Sequence, residues 1–182
     1  MTIQFDGTTN VCTVGSLTVE GDLTVAGTFS KNLNLTTAQT ASGASVDFTI
    51  PSGATRITIQ MNNLSYVTQG NSFIQIGSGS LSTTGYVGTI ISTAQGSTGY
   101  TALTTGLATL TTALAATYII GTATLTRLSG NTWLCNSQTT SIGDSKSFMC
   151  SGVITLSGVL DKLSLVANIS TFDSGTVSLL IE

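Results

Sequence analysis

Seventy consecutive residues, Ile57 to Thr126, contain no Asp, Glu, Lys or Arg. Such a stretch cannot wear the charged coat that keeps a lone soluble domain dispersed. Its surface either lies against neighbouring chains or is hydrated by Ser, Thr, Asn and Gln alone. Over the whole 182 residues only 7% are charged, against about a quarter in ordinary soluble domains. Thr, Ser, Asn, Gln and 20 glycines fill the space. Thr and Val favour extended backbone because their branched Cβ is stiff at χ1. Gly and Ser supply turns between short strands. With a single proline and this mix, the expected fold class is all-β.

The length suits one compact domain with an extension. Residues 1–40 differ from the rest. Glycines recur at Gly15, Gly21 and Gly27, with Leu17, Leu23 and Phe29 at the same six-residue spacing and Val19 and Val25 between them. Six is even, so every repeat puts its apolar pair on one face of an extended chain. Two and a half repeats are too few to bury their own stripe. Leu17, Val19, Leu23, Val25 and Phe29 are therefore the candidate oligomer or attachment interface, most economically with symmetry-related copies. The other reading of the same alternation is an ordinary meander within one sheet.

From 41 to 182 the chain reads as strands between turn signals. Val46, Phe48 and Ile50 alternate up to Pro51-Ser52-Gly53, and Ile57, Ile59 and Met61 alternate after it. Phe73 to Ile76 stops at Gly77-Ser78-Gly79-Ser80. Tyr118 to Arg127 turns through Ser129-Gly130-Asn131 into Trp133, a tight hairpin signal. A second hairpin is expected from 131–137 and 146–156 around Ile142-Gly143. It would set Cys135 opposite Cys150, either as a bonded pair or as two buried thiols of a reducing compartment. Val153 to Leu156, Leu163 to Val166 and Val177 to Ile181 complete the set. This spacing predicts an antiparallel β-sandwich or jelly-roll-like domain. Between Thr101 and Thr117 the leucines at 103, 107, 110 and 114 have a helical spacing. Gly106 and the threonines oppose a helix, which favours two short strands or an ordered loop.

The chemistry available is sparse. Histidine is absent, which removes Ser-His-Asp and Cys-His nucleophiles and the commonest metal ligand. Cys12, Cys135 and Cys150 are too scattered for zinc. The GSGS at 77–80 lacks the lysine of a phosphate loop. No catalytic residue, metal or cofactor is therefore expected, and the chain reads as non-enzymatic. Among carboxylates that could form a sugar-hydrolysing pair, Asp47 alternates onto a solvent face. Asp144 has no facing partner in the pattern, Asp161 reads as self-paired with Lys162 in a turn, and Asp173-Ser174-Gly175 is a turn signal. A calcium site at Asp161 or Asp173 lacks a recognisable loop.

A net charge of −3 with only five scattered Lys and Arg carries no footprint for nucleic acid. The start, Met1 to Asp6, has neither the basic residues nor the apolar run of a secretory signal. The stretch 101–120 is broken by seven threonines and Gly106, so no membrane insertion is expected. What remains is binding by aromatics. Trp133 reads either as core or as a sugar platform, and core packing suits its strand better. Tyr66, Tyr86 and Tyr100 sit in Gly-, Ser- and Thr-rich stretches read as loops, and they are the candidate contacts for a host cell-surface ligand.

The segment Gly21–Thr28 (GDLTVAGT) resembles the GDLTVxGT repeats of tailed-bacteriophage fibres and baseplate-associated proteins. Residues 41–182 resemble a tail-fibre-like β-sandwich module of phage virion proteins. The resemblance is carried by Ser45–Ser52 (SVDFTIPS) with Arg56–Ile59, Ile74–Ser80 (IQIGSGS) with Thr84-Gly85-Tyr86, and Leu128–Trp133 (LSGNTW). It continues through Ile154–Gly158 with Leu160–Lys162 and ends at Phe172–Gly175 (FDSG). Gly53 departs from it, since similar sequences place a large aromatic after the Pro-Ser turn. The resemblance implies a virion protein assembled in the host cytoplasm, a homotrimer, and partners among tail, neck or capsid proteins. It implies no catalytic residue. The expected function is a fibre, spike or knob anchored by residues 1–40, with the sandwich turned toward a host glycan. A capsid decoration protein is the alternative within the structural class, and a carbohydrate-binding module the alternative outside it.

Overall fold

A computed structural model describes residues 34–94, 96–115 and 117–182. The described chain is built of β1 (Asn34–Leu35), β2 (Gln39–Thr40), β3 (Ser45–Thr49), β4 (Arg56–Tyr66), β5 (Gly70–Ser78), β6 (Ser80–Leu81) and β7 (Val87–Ala94). It continues with β8 (Ser97–Leu103), β9 (Leu107–Ala113), β10 (Tyr118–Ser129), β11 (Thr132–Ile142), β12 (Lys146–Thr155), β13 (Lys162–Asn168) and β14 (Phe172–Ile181). Every pairing is antiparallel. The large sheet runs β1-β14-β4-β10-β11-β12-β7-β8, with β2 also on β14. The small sheet runs β3-β13-β5-β6, with β9 also on β5. The all-β antiparallel sandwich is as the alternation predicts.

Strand periodicity explains the layers. In β4, Ile57, Ile59 and Met61 turn inward while Arg56 and Gln60 stay exposed. In β11, Trp133, Cys135, Ser137, Thr139 and Ser141 face in, and Asn136, Gln138 and Thr140 face out. The small sheet supplies two inward rows, Phe48-Leu163-Ile76 and Val46-Leu165-Ile74. These meet Ile57, Ile59, Leu125, Trp133, Phe148 and Leu179 of the large sheet in one core. Full burial of each such side chain contributes about 1.5–3 kcal/mol.

Four expectations are corrected. Asn34–Leu35 and Gln39–Thr40 pair with β14, so the boundary expected at residue 40 lies before residue 34. Asp173-Ser174-Gly175 is not a turn but a bulged part of β14. Gly175 has φ +101° there, and a Cβ on it would lie 2.5 Å from the Asn63 carbonyl oxygen. Asp161 does not pair with Lys162; it accepts the Gly79 amide at 2.8 Å, holding the turn between β5 and β6. Cys135 stands opposite Gly152, and Cys150 opposite Ser137, so the two cysteines are diagonal rather than facing, and neither is in a disulfide.

The stretch 101–117 adopts two strands, β8 and β9, in place of a helix. Gly106, between them, is wedged against the small sheet: a Cβ there would lie 2.7 Å from Phe73 Cβ.

Candidate functional site

The outer face of the large sheet is the most developed surface of the sandwich. Residues across β10, β11, β12, β7 and β8 align in register as Thr122-Gln138-Met149-Ile91-Tyr100. One row away run Ile120-Thr140-Ser147-Thr93-Thr98 and, on the other side, Thr124-Asn136-Ser151-Thr89-Ala102. No charged side chain occurs in any of the three. A depression of about 670 Å³ lies on this face, with Thr89, Ile91, Thr122, Asn136, Gln138 and Met149 along it. A second, of about 440 Å³, continues over Gly121 past Ile120, Thr140 and Ile142, sharing Thr122 and Gln138 with the first. Together they form an open trough.

Its shape follows from the local sequence. The β10–β4 pairing shifts register between Ile119 and Gly121. A Cβ on Gly121 would lie 2.2 Å from the Gln138 carbonyl oxygen, so only glycine lets β10 and β11 come this close. Gly88 and Gly152 are paired across β7 and β12, and a Cβ on Gly88 would meet the Gly152 Cα at 2.5 Å. These contacts hold the strands tight beneath an uncharged surface.

The three predicted tyrosine contacts separate. Tyr100 is 84% exposed at the centre of edge strand β8, in line with Ile91 and Met149, on a strand and not the expected loop. Tyr66 ends β4 with no exposed surface, its ring stacked on Phe172. Tyr86 lies just before β7, also buried. Its hydroxyl accepts the Ile76 amide at 2.9 Å and reaches the carbonyls of Ile76 and Ser82 at 3.2 and 3.0 Å. Burial pushes its phenol up to about 12, partly countered by the backbone hydrogen bond of Ile76. Tyr66 is raised further, again by burial. Both are structural, and the expectation of ligand contact is corrected for them. The Gly and Ser neighbours that suggested loops mark strand ends, where a tyrosine can pack inward. Trp133 belongs to the core.

Leu17, Val19, Leu23, Val25 and Phe29 lie outside the described residues. Among the described residues the candidate carboxylates are each engaged separately. Asp47 is exposed on β3 and accepts the Ser45 hydroxyl, Asp144 pairs with Lys146 at 3.2 Å, and Asp173 accepts the Ser65 hydroxyl. Among the described residues no group of His, Cys, Asp and Glu is placed to hold a metal ion, and no helix is long and apolar enough to cross a membrane. Cys135 and Cys150 lie side by side in the core. Hydrogen bonding to the Cys150 thiol, with burial, holds the Cys135 thiol well above its ordinary range.

Sequence reasoning missed the trough. Asn136, Gln138 and Thr122 were not singled out, and no strand was expected over β7. The one available signal was the charge-free run itself, which covers β7, β8 and most of β10. No family model, curated protein or solved structure matches this chain.

Proposed function

We propose that this chain is a non-enzymatic structural protein on the outside of a tailed-bacteriophage particle. It is a homotrimeric fibre, spike or knob. Its N-terminal six-residue repeat joins it to sister copies and to other virion proteins of the tail, neck or capsid, and its sandwich turns outward to meet the host surface.

The observation that carries this reading is the combination of a GDLTVAGT repeat with a sandwich whose large sheet presents, across β10, β11, β12, β7 and β8, three uncharged, partly apolar outer rows. Ile91, Tyr100, Tyr118, Ile120, Ile142 and Met149 are all exposed on that sheet. Contiguous exposed apolar surface marks a contact site more often than a solvated wall. The sequence resemblance to phage virion modules supplies the setting.

The test has two parts. The purified chain is expected to have the mass of a trimer by light scattering. Leu17→Asp combined with Leu23→Asp is expected to give monomers with an unchanged far-ultraviolet spectrum. Immunogold labelling of intact particles is expected to decorate the tail or an appendage. Gold spread over the head in proportion to the capsid subunits would favour the decoration protein instead. A clean monomer, or particles that carry no label, would overturn the proposal.

A further inference from the structure

We infer that the trough on the large sheet is a binding site for an uncharged oligosaccharide. This deepens the host-contact reading above and rests on it for its biological setting, though the binding itself is a property of the isolated sandwich.

The chemistry of the lining narrows the ligand. Phosphates, carboxylates and nucleic acids would find no cation in the three rows, and a cationic ligand would find no carboxylate. Asn136 and Gln138 point outward from β11 on successive exposed positions. Each amide offers donors and an acceptor side by side. A group that both gives and takes hydrogen bonds at short repeat is a vicinal diol, the edge of a sugar ring. Thr122 and Thr89 add hydroxyls of the same dual character.

The apolar part is arranged to match. Met149, Ile91 and Tyr100 continue the Gln138 row across three adjoining strands. They form a strip beside the polar one, suited to the CH-rich face of a pyranose, with the Tyr100 ring exposed at its end. A purely apolar ligand would cover the two amides without satisfying them, which is costly. The volume of about 670 Å³ falls within the range of small-molecule sites. The continuation over Gly121 into the second depression gives room for a chain longer than one residue. An elongated, neutral, hydroxyl-bearing polymer fits this surface best.

Saturation-transfer NMR on the full chain tests this with a panel of neutral oligosaccharides: α-glucans, β-glucans, mannans, galactans and N-acetylglucosamine oligomers. Polygalacturonate and heparin fragments serve as acidic controls. At least one neutral member is expected to bind and the acidic controls are not. The Asn136→Ala/Gln138→Ala variant is expected to weaken binding about tenfold or more, consistent with losing two hydrogen-bonding amides, at an unchanged melting temperature. Tyr100→Ala should weaken it less, and the buried Tyr86→Phe not at all. Binding by none of the neutral panel, equal binding of the acidic controls, or full binding by the double variant would overturn the site. So would a double variant whose only effect is to dissociate the oligomer, since the face would then be covered by a sister chain. Saccharide binding without any label on virions would sink the phage setting and leave the trough standing.

Discussion

The ring of Tyr66 stacks on that of Phe172, centroids 5.2 Å apart and planes inclined by 29°. This contact ties the end of β4 to the start of β14, where register shifts loosen the ladder. Phe172→Ala empties the space under Tyr66 and is expected to cost about 3–5 kcal/mol. Gly70→Ala should act from the other side. A Cβ there would lie 2.7 Å from Tyr66 Cδ1, giving an overpacking loss of about 1–3 kcal/mol. Urea unfolding monitored by circular dichroism measures both. Wild-type midpoints for the two variants would refute this packing.

The diagonal placement of Cys135 and Cys150 makes a chemical prediction. Both thiols are buried, and Cys135 is held protonated by its neighbour and its surroundings. In a Cys12→Ser background, Ellman's reagent at pH 8 should find neither thiol in the folded protein and both in guanidinium chloride. Mild oxidation should leave them reduced, since the register keeps them off opposing positions. Rapid modification in native buffer would show that the β11–β12 pairing opens readily.

Gly121 and Gly43 separate two reasons for a glycine. At Gly121 a side chain would strike the β11 backbone, 2.2 Å from the Gln138 oxygen and 2.6 Å from Thr139 Cα, so the strands must part. Gly121→Ala is expected to cost about 3 kcal/mol or more. Gly43 has φ +73° with open space around it, so Gly43→Ala carries only the backbone penalty of about 1 kcal/mol. Equal losses in thermal melts would contradict the close approach of β10 and β11.

The parts of the fold legible in the sequence are those where apolar residues alternate strongly. Ile57-Ile59-Met61, Trp133-Cys135 and the Gly130 and Gly143 turns all fall where the pattern put them. β7 and β8 were hidden because of their composition. Of Val87–Ala94 only Ile90 is firmly buried, and of Ser97–Leu103 only Leu103, so no alternating stripe marks either strand. The leucine spacing that imitated a helix dissolves for a related reason. Leu103 closes β8, Leu107 opens β9 and Leu114 is exposed beyond its end, so they sit on separate elements and not along one helix. The trough was illegible because it is made by register across five strands. Asn136, Ser151 and Thr89 are neighbours only once two strand pairings, β11 with β12 and β12 with β7, are known.

Alkaline stability follows from the buried phenols and the Cys135 thiol. All are raised in the folded protein, Tyr86 from 10.0 to about 12 and the others in the same direction. Above their ordinary values the unfolded chain releases protons that the folded chain retains, so folding becomes less favourable as pH rises. This contribution is fully present below about pH 8, where the unfolded thiol and phenols are still protonated. It declines through pH 10 and 11 and, for Tyr86, is lost once the pH passes its folded value near 12. Tyr86→Phe should be less stable than wild type at pH 7 by about 1–2 kcal/mol, from the hydrogen bonds lost at Ile76 and Ser82. It should then lose less stability than wild type between pH 9 and 11, because one of the titrating groups is gone. Urea midpoints of both proteins at pH 7, 9 and 11 decide the matter. Parallel declines would mean that the Tyr86 phenol ionises without unfolding, and that the cluster around Ile76 is open to solvent.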